Sequence, residues 1–149
     1  MGNKMPVMVF DNKSLKKCLK YWKKKLFLQD WTIKVKLVSP KEMENEDLAG
    51  LNQCRFVNKS SVISIQQLSK EDRICSVAKA CDEQTLVHEL LHCKYNFMES
   101  DSGSYETMYV DAIEHQKLDE LSKTLIMVKY DLPFDWFRNF KYESPDIQE

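Results

Sequence analysis

The sequence predicts an α+β fold: an N-terminal helix, a short three-stranded antiparallel meander, a second helix and a long third helix. Three observations predict it. Apolar residues recur at helical spacing in three segments, they alternate with polar ones in a block between the first and second, and only 3 Gly and 4 Pro punctuate the 149 residues. So few breakers argue against a many-turned β-sandwich, a Gly-rich phosphate loop or a low-complexity linker. With 43% apolar and 11% aromatic residues, the chain can bury a real core, and its length suits one domain spanning residues 1–149.

The elements follow in order. From Ser14 to Leu28, Leu15, Cys18, Leu19, Trp22 and Leu26 share one helical face, while Lys16, Lys17, Lys20, Lys23, Lys24 and Lys25 take mostly the others, a solvated basic side. Trp31 to Val38 alternates and is rich in β-branched residues, and Pro40 ends it. Leu51 to Val57 and Ser61 to Ile65 read as two more strands joined at Asn58-Lys59-Ser60. Ser69 to Arg73 reads as a loop. Asp82 suits the cap of a helix running to about Met98, Glu99 to Ser104 breaks the pattern, and a long helix spans Tyr105 to Tyr130, stopping before Pro133. The tail, with Phe134, Trp136, Phe137 and Phe140, is aromatic enough to dock onto the body.

Charge and cysteine usage narrow the function classes. Lys and Arg number 22 against 23 Asp and Glu, so the chain lacks the basic excess of a nucleic-acid coat, and nucleic acid is not an expected partner. No stretch approaches the roughly 18 apolar residues of a membrane helix, and the amino terminus has no signal-peptide pattern. Met1-Gly2 does not read as a myristoylation signal, because Pro6 stands where Ser or Thr is required. The 5 cysteines include no CxxC pair, which fits reduced thiols in the cytoplasm, the expected location, better than a disulfide framework or a zinc ribbon.

The segment Thr85-Leu86-Val87-His88-Glu89-Leu90-Leu91-His92 contains His-Glu-x-x-His on a predicted helix, the context that gives the motif mechanical sense. At about 100° per residue, His88 and His92 lie about 40° apart and one turn along, so both imidazoles can reach one ion. Glu89 lies about 100° from His88, able to contact a water on that ion without ligating it, and to carry its proton to a leaving amine. Leu86, Val87, Leu90, Leu91, Cys93 and Phe97 fall opposite His88 and Glu89, leaving one face to pack and one to hold metal.

A catalytic zinc needs a third protein ligand, and the long helix offers Glu114 and His115. Val110, Leu118, Leu121, Leu125 and Val128 form an apolar stripe with Glu114 in its middle and His115 about 100° away. An ionised carboxylate in a core stripe needs a partner, and metal ligation is the preferred solution, with His115 as the substitute ligand. With Glu114 as ligand, His115 and Asp111 are candidates for contacts to the groups around the metal or to a developing oxyanion, and Tyr105 and Tyr109 for the oxyanion alone.

The order helix, short meander, His-Glu-Leu-Leu-His helix, second helix resembles the minimal zincins, both the Glu-ligated minigluzincins and SprT-like metallopeptidases. The chain also resembles small metallopeptidase-like proteins of phage and prophage genomes over most of its length, through Leu28-Gln29-Asp30-Trp31-Thr32-Ile33, Ala49-Gly50, Thr85 to His92 and Glu114-His115. The resemblance implies a zincin-like domain with Zn2+ on His88 and His92, Glu89 as general base, an edge strand that aligns an extended peptide, and a phage-type protein working in a host cytosol. SprT-like proteins use a third histidine and act on DNA-linked substrates; this chain has Glu114 before His115 and neither a zinc ribbon nor a basic tail.

The expected activity is therefore zinc-dependent hydrolysis of a peptide or protein substrate, with Ser61 to Gln66 as the edge strand that pairs with it. The alternative is a zincin-fold regulatory protein that keeps the metal but acts by recognising a partner.

Overall fold

The computed structural model describes residues 5–43, 48–67, 81–95, 105–133 and 135–137, with the side chains of residues 105–110 excepted. Its architecture is α+β. Among the described residues the elements run α1 (Asn12–Lys25), β1 (Thr32–Val38), a single 3-10 turn (Pro40–Glu42), β2 (Gly50–Arg55), β3 (Ser60–Gln66), α2 (Asp82–Lys94) and α3 (Tyr105–Tyr130). None of the helices described is long and apolar enough to cross a membrane.

Helix α1 starts two residues before and ends three residues before the expected Ser14 to Leu28, with Leu15, Cys18 and Trp22 buried as the periodicity requires. Asp11 and Ser14 make a reciprocal capping box at its start, satisfying donors that the first turn leaves open. At its end, Phe27 N–H donates to the Lys24 carbonyl at 3.2 Å and Leu28 N–H to the Lys23 carbonyl at 2.8 Å. This is a Schellman closure, with Phe27 in the left-handed region at φ 57° where glycine is usual. It turns Leu28, 1% exposed, back into the core.

The sheet differs from the expected meander. Its order is β1-β3-β2, with β3 parallel to β1 and antiparallel to β2. Alternation identifies a strand but not its neighbour. Only the β2–β3 hairpin, turned at Lys59 with φ 50°, follows the local pattern. Ser60–Gln66 is consequently the central strand, both of whose edges are paired, and cannot be the edge that a substrate would join.

Register across this sheet sets the site. Three rows run from β1 through β3 to β2: Leu37–Ile65–Gly50, Val35–Ile63–Asn52 and Ile33–Ser61–Cys54. Ile63 and Ile65 are fully buried. The side chains shrink or become polar at the β2 end of each row, and there α2 comes close. Gly50, Asn52 and Cys54, two residues apart on one strand face, meet Thr85, Glu89 and Cys93, four apart on one helix face. Two strand residues and one helical turn both rise by roughly 6 Å, so the contacts stay in step.

Helix α2 starts at Asp82, one residue after its cap, Cys81. The Asp82 carboxylate, rather than capping the helix, accepts from Phe10 N–H at 2.8 Å and the Gln67 amide at 2.8 Å. Its neighbour Glu83, 0% exposed, accepts from Trp22 Nε1 at 2.9 Å, Lys129 Nζ at 2.8 Å, Val7 N–H at 3.1 Å and the Tyr130 hydroxyl. One carboxylate thus joins the N-terminal segment, α1, α2 and α3. Burial works against its charge, but these hydrogen bonds together outweigh it and hold the carboxyl below its usual range. Helix α2 ends at Lys94, short of the expected Met98; Phe97 lies outside the described residues, as does the expected loop at Ser69 to Arg73. Phe137 packs against the core, whereas Phe134 and Phe140 lie outside the described residues.

Candidate metal centre

Helix α2 is wedged between β2 and α3, and successive positions serve the two sides. Thr85, Glu89 and Cys93 face the strand. Gln84, His88 and His92, one position earlier in each turn, face α3. The expectation that Glu89 shares an open face is therefore corrected: it is 7% exposed, and its Oε1 lies 3.1 Å from where a Cβ on Gly50 would stand. Burial pushes its carboxyl up to about 7, only partly offset by the neighbouring His88. Asn52 fixes the backbone at this point, its Nδ2 donating to the Glu89 carbonyl at 2.5 Å.

On the other side, His115 of α3 meets His88 and His92. The ring centroids are 5.2 Å apart for His88–His92, 6.1 Å for His88–His115 and 5.1 Å for His92–His115. One nitrogen from each ring lies within 4.8 Å of the others, and all three residues are half-buried. Among the described residues this is the group of histidine, cysteine and acidic side chains that could grip a metal ion. Three neutral imidazoles suit zinc, and a three-ligand set leaves a position for water or substrate.

Glu114, the preferred third ligand on sequence grounds, does not join them. Its carboxylate accepts from Lys117 Nζ at 3.1 Å on a partly exposed flank. The apolar stripe used to place it is rotated from the true contact face: Val128 is 74% exposed, while Leu118, Ser122 and Ile126 are buried. Those three positions and Asp119 centre on His115, about 100° from Glu114. The reason is that α2 and α3 meet through polar groups that a count of apolar residues omits. The Gln84 amide donates to Ser122 Oγ at 2.7 Å and to Asp119 Oδ1 at 2.9 Å, and the Ser122 hydroxyl donates to the Asp119 carbonyl at 2.7 Å.

Asp119 stands beside the histidines, where neither the motif nor the apolar stripe points to it. Its Oδ1 stands 3.5 Å from His88 Nδ1, and Lys123 Nζ lies 2.8 Å from its other oxygen. The His88 ring, ahead of Lys123 and Gln84, holds the Asp119 carboxyl well below the usual range despite partial burial. With Nδ1 turned to a carboxylate, Nε2 of His88 is left for a metal, the arrangement that orients ligand histidines generally. The available signal was spacing: Asp119 follows His115 by one helical turn and shares its face. No family model, curated protein or solved structure matches the chain. Asp111 lies one turn before His115 and is half-buried. The side chains of Tyr105 and Tyr109 lie outside the described residues.

Proposed function

We propose that the protein is a zincin-type metallopeptidase that hydrolyses peptide bonds, with His88, His92 and His115 as zinc ligands and Glu89 as general base. The observation that carries this reading is the meeting of three imidazoles from two helices beside a carboxylate buried against a sheet edge. A zinc ion held there would supply Lewis-acid chemistry, polarising a scissile carbonyl and making water nucleophilic near neutral pH.

The chain's own residues supply the rest. Asp119, held by Gln84 and Lys123, orients the His88 ring. Glu89, raised toward neutrality by its burial, takes a proton from the attacking water on its carboxylate and returns it to the leaving amine nitrogen. Among the described residues the edge of β2 away from β3 is the sheet edge nearest Glu89, so an extended peptide pairing there would run past the base. This replaces Ser61 to Gln66 as the substrate-aligning strand.

Zinc-loaded wild-type protein and Glu89→Gln, incubated with a mixed peptide pool, test the proposal by mass spectrometry of new termini. Cleavage by wild type alone, with zinc retained by both, is the expected result. Equal cleavage by both would remove Glu89 from the reaction. Absence of cleavage by either would favour the alternative of a metal-holding protein that works through partner recognition.

A further inference from the structure

The rung of the strand–helix register beyond Glu89 brings two thiols together. Cys54 on β2 and Cys93 on α2 place their sulfurs 3.4 Å apart. Asn52 holds both: its Nδ2 donates to Cys93 Sγ at 3.3 Å, and its Oδ1 accepts from the Cys54 S–H at 2.9 Å. Ser61, across the strand pair from Cys54, donates its hydroxyl to the same Oδ1. The other two described thiols are placed differently: Cys18 is buried in α1, and Cys81 directs its S–H to the Val7 carbonyl at 3.6 Å.

We infer that Cys54 and Cys93 are a reversible dithiol–disulfide pair that, once oxidised, fastens the edge strand to the histidine-bearing helix, with a small disulfide such as oxidised glutathione as oxidant. Cys54 is half-buried and Cys93 is 4% exposed, so the reagent meets Cys54 first. Cys54 sulfur attacks the small disulfide, forming a mixed disulfide and releasing one small thiol. Cys93 sulfur then attacks Cys54 sulfur, forming the protein disulfide and releasing the second. Two electrons and two protons pass from the cysteines to the reagent, and a small reducing thiol reverses the sequence. The sulfurs start in contact at 3.4 Å and close to the ~2.0 Å of the bond. The tie lies one rung from the Asn52–Glu89 contact and fixes the spacing of the strand and helix that enclose Glu89. The inference does not depend on the peptidase reading.

The test treats folded wild-type protein, and a Cys75→Ser background that removes the thiol outside the described residues, with oxidised glutathione. Remaining thiols are then blocked and the chain is digested without reduction. A cross-linked Cys54–Cys93 peptide, reversed by dithiothreitol and absent from Cys54→Ser and Cys93→Ser, is expected, together with a higher melting temperature of the oxidised protein. A glutathione adduct that persists on Cys54, a cross-link through Cys18 or Cys81, or full retention of free thiols where the denatured chain oxidises would overturn the inference. Mapping of the wild-type chain decides the matter even if a serine variant fails to fold.

Discussion

Gly50→Ala should damage both the fold and the proposed base through one added methyl group. That carbon would stand 2.8 Å from Thr85 Cγ2 and 3.1 Å from both Glu89 Cγ and Oε1. Gly50 is not in the left-handed region, so the constraint is lack of room. Thr85 is buried on a helix, where its branched side chain is stiff and cannot swing clear. Either β2 withdraws from α2 or Glu89 is displaced. Overpacking of this kind costs about 1–3 kcal/mol, or a fall in melting temperature of roughly 2–12 °C for a chain of this size. Thr85→Ser deletes the closer methyl, so Gly50→Ala/Thr85→Ser should recover much of the loss, a coupling read from thermal unfolding of the four proteins. Peptide cleavage by Gly50→Ala should fall further than its zinc binding, because the added methyl meets Thr85 and Glu89 and none of the three histidines. A Gly50→Ala protein with wild-type stability, or strictly additive losses in the double variant, would refute the strand–helix register.

Other perturbations separate the remaining parts. Asp119→Ala should weaken zinc binding by about 10–100-fold in a competitive chelator titration, through loss of the His88 partner. Phe27→Gly should raise stability by about 0.5–1 kcal/mol in urea unfolding, since glycine adopts φ 57° without the cost a side chain incurs there. The Glu83 carboxyl is depressed in the folded state, so its contribution is present above the unfolded value of about 4.3 and is lost as pH falls through the lower folded value. The urea midpoint of metal-free wild type should therefore fall toward that of Glu83→Gln on acidification; a gap between them that stays constant or widens would contradict the hub assigned to Glu83.

Much of this organisation was legible because it is local. Leu15, Cys18 and Trp22 mark the buried face of α1, the limits of α3 coincide with Tyr105 and Tyr130, and His88 and His92 stand one turn apart on α2. What the sequence concealed depends on partners distant along the chain. Nothing in the alternation of Thr32–Val38 reveals that it lies parallel to Ser60–Gln66 and thereby leaves β2 at the edge among the described residues. The face of α3 was misjudged for a related reason. Gln84, Asp119 and Ser122 make the helix contact through hydrogen bonds, and Lys129 and Tyr130 turn inward to a buried Glu83. An apolar stripe therefore pointed to Glu114 rather than His115. Gly50, Asn52 and Cys54 reveal their common purpose only once α2 lies across them.

Zinc titration of the metal-stripped, folded protein and its single variants tests the central claim most directly. One ion per chain should bind to wild type and to Glu114→Ala, with binding lost in His88→Ala, His92→Ala and His115→Ala while circular dichroism shows each variant folded. A folded wild-type chain that takes up no zinc, or a His115→Ala protein that binds it as tightly as wild type, would contradict the three-histidine centre.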